Sequence, residues 1–280
     1  MPKKTGTRTY GKLRGGMPFL SFGTGEPLVF LPGLTPHHEP PVGTERMLHA
    51  AQVETFADRR RVWWINRRPG LAPDATMADL AGDYAEALRG RFGEPVDIVG
   101  FSTGGSIALQ LAADHPSVVK RLIIVAAAYR LGPVGAAAQR RVAREVQAGR
   151  PREAGAEIVR TLGGGVRAQR VLGAAGWLMG KSIYGKASAD MIATINAEDD
   201  FNLRTRLGEI SAPTLVVAGE KDPLFSEDLC AETAALVPTG RFLLYNGKGH
   251  LETLMNAGLA ADVFGFLDAQ DVYRGDSATG

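Results

Sequence analysis

Short apolar runs alternate along this chain with longer stretches of helical periodicity, and the alternation predicts a parallel sheet covered by helices. The apolar runs at residues 28–31, 62–65, 96–99, 122–125, 215–218 and 242–245 are rich in Val, Ile, Leu and aromatic residues. Apolar residues at consecutive positions mark strands buried on both faces. Pro32-Gly33, Gly100, Pro213, Gly219 and Gly247 punctuate these runs. Two further runs near 8–13 and 17–22 read as an edge hairpin. Helices are expected over 76–92, 103–114, 226–236 and 251–267. Thr76 and Asp79 form a capping pair at the first of these. Ser226, Glu227 and Asp228 suit the positive end of the third. In the last, Leu251, Leu254, Met255, Leu259, Val263, Phe266 and Leu267 recur at helical spacing.

One interval breaks the alternation. Between Tyr129 and Ser211 no run has strand character. The segment is rich in Ala, Gly and Arg, with helical patches at 134–148 and 152–162 and a breaker at Gly163-Gly164-Gly165. An insertion of this length between two strands of a parallel sheet is a second domain or a lid. Its glycine content argues against an independent core. It is read as a helical cap over 130–210, on a core domain formed by 1–129 and 211–280.

The sharpest chemical signal is Gly100-Phe101-Ser102-Thr103-Gly104. A bare Gly-x-Ser-x-Gly is weak, but here a buried strand precedes it and an amphipathic helix follows it, as a nucleophile elbow requires. Ser102 must then sit in a sharp turn, its hydroxyl above the sheet edge. A Cβ at Gly100 or Gly104 would collide with the neighbouring strand and helix. The Thr103 N–H opens the helix and points where an oxyanion would form.

A serine hydroxyl needs a base. Of the five histidines, His250 stands in a glycine loop after the last strand, where the imidazole can turn back over the sheet edge. His115 ends a helix, His49 lies within one, and His37 and His38 are read as solvated loop residues. The base needs an orienting carboxylate, and Asp222 follows a strand end with Pro223 holding it extended. Glu220 is its rival; Asp228 is explained as a helix N-terminal charge. The chain order Ser102, Asp222, His250 differs from the orders of the chymotrypsin and subtilisin types. The loop Pro32-Gly33-Leu34 can offer the Leu34 N–H as a second oxyanion donor. Thr35, Phe225 and Leu251 adjoin these loops, and Trp177 projects from the cap segment; all four are candidate substrate contacts. Arg59-Arg60-Arg61 reads as a solvated turn, Trp63 and Trp64 as sheet core, and Cys230 as a small buried residue.

Composition narrows the classes. The 280 residues are 45% hydrophobic and 22% charged, which excludes disorder as the main state. A net charge of +2 leaves no broad footprint for nucleic acid or an anionic membrane. One cysteine excludes a disulfide scaffold and a Cys-rich metal site. Neither a spanning segment nor a secretory h-region is expected, so the reading is cytoplasmic. No cofactor is implied, there is no phosphate-cradling loop, and no metal-ligand spacing is present.

Taken together, Leu31-Pro32-Gly33-Leu34, Gly100-Phe101-Ser102-Thr103-Gly104-Gly105, Gly219-Glu220-Lys221-Asp222-Pro223 and Gly247-Lys248-Gly249-His250 resemble the α/β-hydrolase superfamily, from about residue 17 to 267. The resemblance implies an eight-stranded, mostly parallel sheet with a lid after the sixth strand. It also implies a Ser102–Asp222–His250 triad, with Leu34 and Thr103 as oxyanion amides. Many members carry His-Gly where this chain has Pro32-Gly33. The implied activity is hydrolysis of an ester, lactone or thioester in a small, moderately apolar molecule. An acyltransferase, a carbon–carbon bond hydrolase and a non-catalytic binder of the same fold stay open. Oligomeric state is not readable.

Overall fold

The structure is a computed structural model, and it describes residues 7–162 and 166–277. The Gly163-Gly164-Gly165 breaker lies outside the described residues. Eight strands form one sheet: β1 (Thr9–Lys12), β2 (Pro18–Phe22), β3 (Pro27–Leu31), β4 (Arg61–Ile65), β5 (Val96–Phe101), β6 (Val119–Val125), β7 (Thr214–Gly219) and β8 (Gly240–Tyr245). Their spatial order is β1-β2-β4-β3-β5-β6-β7-β8. The β1–β2 and β2–β4 pairings are antiparallel, and every pairing from β4 to β8 is parallel. This is the expected mostly parallel α/β sheet.

The helices are α1 (Gly43–Val53), α2 (Met77–Phe92), α3 (Thr103–Asp114), α4 (Pro133–Gln147), α5 (Pro151–Thr161), α6 (Val166–Tyr184), α7 (Ala189–Asp199), α8 (Glu227–Leu236), α9 (His250–Leu254) and α10 (Leu259–Ser277). The sheet is buried on both faces because neighbouring residues of a strand point to opposite sides. Trp63, Ile98, Leu122 and Ile124 enter one core cluster with residues of α2, α3 and α8. Trp64, Val99, Ile123 and Val125 enter the other with residues of α1 and α10. Thr76 caps α2: its hydroxyl accepts the Asp79 N–H, and Asp79 accepts the Thr76 N–H.

Three expectations change. The helix expected over 251–267 is two helices, broken where the Asn256 side chain accepts the Gly258 N–H and the Asn256 carbonyl accepts the Leu259 N–H. Arg60 is buried rather than solvated, paired with Glu26 at 2.6 Å. The interval between β6 and β7 is helical, as expected, but carries a small core of its own from Val142, Ala143, Ala154, Met191 and Ile195. Within it, α6 turns glycines inward. A Cβ on Gly155 would lie 2.6 Å from Gly180 Cα, so α5 and α6 pack backbone to backbone. The apolar Val171, Trp177, Leu178 and Met179 are left exposed. Among the described residues no helix is long and apolar enough to cross a membrane.

Candidate active site

The C-terminal ends of β3, β5, β7 and β8 bring the chemistry together at one sheet edge, the edge where open α/β sheets bind ligands. Ser102 sits between β5 and α3 with φ 53° and ψ −128°, in the left-handed region that a non-glycine residue occupies only under constraint. Its N–H is fixed by the Val125 carbonyl at 3.0 Å. The tightness of the elbow explains its glycines. A Cβ on Gly100 would come within 2.5 Å of the Gly104 carbonyl oxygen, and one on Gly104 would strike the Leu31 carbonyl.

Asp222 follows β7. Its Oδ1 accepts the Leu224 and Phe225 N–H groups at 2.8 and 3.2 Å, which fixes the carboxylate and leaves Oδ2 free. Oδ2 lies 2.7 Å from His250 Nδ1, and His250 Nε2 lies 3.0 Å from Ser102 Oγ. The three groups form one buried line, with Ser102 7% and His250 5% exposed. With Nδ1 donating to Asp222, Nε2 is the acceptor and can take the Ser102 proton. The Phe101 and Phe225 rings flank the imidazole at 5.1 and 6.0 Å. Glu220, the rival carboxylate, instead accepts the Gly247 N–H and braces the loop that carries His250. Cys230 is buried, and burial and the Asp222 charge push its thiol up.

The Leu34 and Thr103 N–H groups have no protein acceptor among the described residues. Gly33 lets their two loops approach: a Cβ there would lie 3.2 Å from Ser102 Cβ. The four candidate substrate contacts have different fates. Phe225 is buried against His250. The Thr35 hydroxyl accepts from Arg67 at 2.8 Å and also lies 3.2 Å from Asn66 Oδ1. Leu251 is exposed on α9. Trp177 is exposed on α6 with the Arg152 guanidinium 4.3 Å above its ring, because α6 buries its glycines instead.

Two functional-looking side chains were not anticipated. Arg67, two residues past the end of β4, is buried and donates to the carbonyls of Pro32 and Gly33 at 3.3 and 2.9 Å. Its Nε donates to His38 Nε2 at 3.1 Å, so the other ring nitrogen of His38 carries the proton toward the Arg68 carbonyl. His38 is thus buried, not solvated, and burial and the Arg67 charge push its pKa down to about 3. Glu198, on α7, is likewise fully buried and meets Thr103 and Ser106 at the start of α3. The signal for Arg67 was a polar Asn66-Arg67-Arg68 run at a strand end beside the Gly33 loop. The signal for Glu198 was its place on the inward stripe of Met191, Thr194 and Ile195.

Among the described residues no group of three or more His, Cys, Asp or Glu side chains is arranged to hold a metal ion. A cavity of about 660 Å³ is lined by Pro73, Asp74, Met77, Gln110 and Phe201. Another, of about 430 Å³, lies between Leu71, Val146, Ser188 and Ile192. Val146, Ile192 and Leu34 all pack against the small core of the inserted segment.

An eight-stranded sheet with a strained serine elbow facing a His–Asp pair defines the α/β-hydrolase class. The chain belongs to the α/β hydrolase fold family, whose model matches residues 26–254, and it is an enzyme. It is 28% identical over 197 residues to the "Putative carbamate hydrolase RutD" of Serratia proteamaculans, covering 66% of this chain and 70% of that protein. It is 42% identical over 62 residues to a pimeloyl-[acyl-carrier protein] methyl ester esterase of Neisseria meningitidis, covering 22% of this chain and 24% of that protein. The enol-lactonase of Burkholderia xenovorans LB400 superposes with a TM-score of 0.74 at 19% identity, covering 93% of this chain and 100% of that one; this likeness concerns the fold.

Proposed function

We propose that this enzyme is a serine hydrolase that cleaves the acyl bond of an ester, lactone or thioester in a small, moderately apolar molecule. The reading is carried by the unbroken line from Asp222 through His250 to Ser102, at 2.7 and 3.0 Å, beside the Leu34 and Thr103 N–H groups, which have no acceptor among the described residues. Ser102 Oγ attacks the carbonyl carbon as His250 Nε2 takes its proton. Asp222 holds the imidazole tautomer and stabilises the imidazolium. The Leu34 and Thr103 amides bind the oxyanion, at about 3 kcal/mol per donor. His250 returns the proton to the departing alcohol, thiol or ring oxygen, leaving Ser102 acylated. Water then enters; its oxygen adds to the acyl carbon as His250 Nε2 takes one of its protons, and the C–Oγ bond breaks as that proton passes to Ser102 Oγ and the acid leaves.

Residues 130–210 act as the cap of this site, on a core of 1–129 and 211–280. The packing of Leu34 against the Val142, Ala143, Ala154, Met191 and Ile195 cluster supports this, because it joins the oxyanion loop to the core of the inserted helices. The apolar character of that contact supports an apolar acyl group. The Serratia, Neisseria and Burkholderia proteins are named as a carbamate hydrolase, a methyl ester esterase and an enol-lactonase, and those names support hydrolysis of an ester-type bond. The test is a panel of short-chain esters, thioesters, lactones and carbamates, assayed with wild type and Ser102→Ala. Turnover of at least one acyl class, abolished in Ser102→Ala, is expected; turnover that survives in the variant overturns the reading.

A further inference from the structure

Glu198 stands on α7, between β6 and β7, yet its carboxylate ends at the first turn of the elbow helix. Thr103 Oγ1 donates to Oε2 at 2.7 Å, Gln139 Nε2 donates to Oε2 at 2.9 Å, and Ser106 Oγ donates to Oε1 at 2.9 Å. Burial pushes the carboxyl's pKa up, and the three donors and the Arg67 charge pull it back. Removing a carboxylate from water is costly even when its hydrogen bonds are made. An apolar residue at 198 would pack α7 on α3 without that cost. What the carboxylate adds is direction: it fixes the rotamer of Thr103 and the hydroxyl one turn further along.

Thr103 is the residue whose N–H opens α3 beside Ser102, so anchoring its side chain restrains the backbone that carries that amide, in addition to the Gly105 and Ser106 N–H groups on the Ser102 carbonyl. We propose that Glu198 is a positioning residue for the oxyanion site, holding the Thr103 N–H on target from the segment inserted between β6 and β7. The proposal rests on the reading of Ser102 as nucleophile. Gln139, on α4, shares the same carboxylate oxygen. The seating of two inserted helices is thereby coupled to the geometry of one amide. A small misplacement there is expensive, because a donor aimed at developing charge loses its value steeply with distance.

The test uses a fluorophosphonate as probe and needs no knowledge of the natural substrate. Ser102 Oγ forms a bond to phosphorus as fluoride leaves, and the phosphoryl oxygen occupies the oxyanion site. Inactivation is resolved into kinact and KI for wild type, Glu198→Ala, Glu198→Gln, Thr103→Val and the Glu198→Ala/Thr103→Val double variant. The amide of Gln keeps an oxygen for Thr103 and Gln139 and an NH2 for the Ser106 hydroxyl. Expected is a fall in kinact of at least about tenfold in Glu198→Ala with KI within about twofold, and recovery to within about threefold of wild type in Glu198→Gln. The double variant should be no slower than Glu198→Ala, because both changes cut one linkage. Wild-type kinact in Glu198→Ala overturns the proposal, as does a Glu198→Gln variant as slow as Glu198→Ala. Should Glu198→Ala fail to fold, Thr103→Val decides alone, and wild-type kinact there overturns it. A folded wild-type chain that takes no label overturns the hydrolase reading and this proposal with it. A wild-type chain that labels while all variants match it overturns the proposal only.

Discussion

Arg67 Nη2 donates to the Gly33 carbonyl at 2.9 Å, and so holds the peptide that leads directly into the Leu34 N–H. Its Nη1 reaches the Pro32 carbonyl at 3.3 Å, so one planar guanidinium grips two successive peptides. A side chain just past a strand end thereby sets the Pro32-Gly33-Leu34 loop.

Arg67→Lys cannot reproduce that fork, since an ammonium is a single compact charge with no fixed plane. The variant should lose about tenfold or more in kcat on whichever ester the panel identifies, with KM changed much less. Steady-state kinetics check this. An unchanged kcat would mean that the Leu34 loop holds its shape without the guanidinium.

Acid should weaken the fold through His38. In the unfolded chain His38 takes up a proton near its usual 6.5; in the folded protein it does so only near about 3. Between these values the unfolded state binds the extra proton. Stability therefore rises with pH across the window, is complete above 6.5, and falls on acidification. The slope reaches about 1.4 kcal/mol per pH unit. His38→Asn offers Arg67 an acceptor and the Arg68 carbonyl a donor without titrating. Urea unfolding at about pH 7.5 and about pH 4.5 should show a smaller loss in the variant than in wild type. Equal losses would show that His38 does not cause the acid sensitivity.

Gly100→Ala forces a Cβ to within 2.5 Å of the Gly104 oxygen and 2.7 Å of Gly105 Cα, both backbone atoms that cannot swing away. Overpacking of this kind costs about 1–3 kcal/mol and shifts the elbow. The expected outcome is a lower unfolding midpoint together with loss of Ser102 labelling. Wild-type values of both would contradict the packing described.

Asp97 is buried between two guanidinium groups, bidentate with Arg121 at 2.6 and 2.7 Å and 4.0 Å from Arg60. Asp97→Ala removes the carboxylate that compensates them and should destabilise by about 3–5 kcal/mol, read by denaturant unfolding. A loss within the range of surface substitutions would mean that the Glu26 carboxylate on Arg60 and the Leu267 carbonyl on Arg121 suffice.

The parallel strands were legible because burial on both faces writes a continuous apolar run, as in Leu122-Ile123-Ile124-Val125. The elbow was legible because its glycines are dictated by contacts only a few residues away. The positions of Ser102, Asp222 and His250 followed from strand ends, which sequence marks with turn residues. Arg67, His38 and Glu198 were not legible in the same way. Their roles arise from contacts spanning about 30 to 95 residues, between a loop, a strand end and an inserted helix. Trp177 misled for the opposite reason. An apolar ring on a helical segment reads as inward-facing, but α6 is packed through Gly173, Gly176 and Gly180, and the ring is turned out. The break between α9 and α10 was missed because Leu251 to Leu267 keeps helical spacing across the Asn256–Gly258 turn.

The most direct test of the central claim is fluorophosphonate labelling of the folded wild-type chain, followed by peptide mapping, with His250→Ala as comparison. The account predicts a single modified peptide carrying the label on Ser102, and loss of that label in His250→Ala because the hydroxyl then has no base. A folded wild-type chain without label, or a label on any other residue, would contradict it.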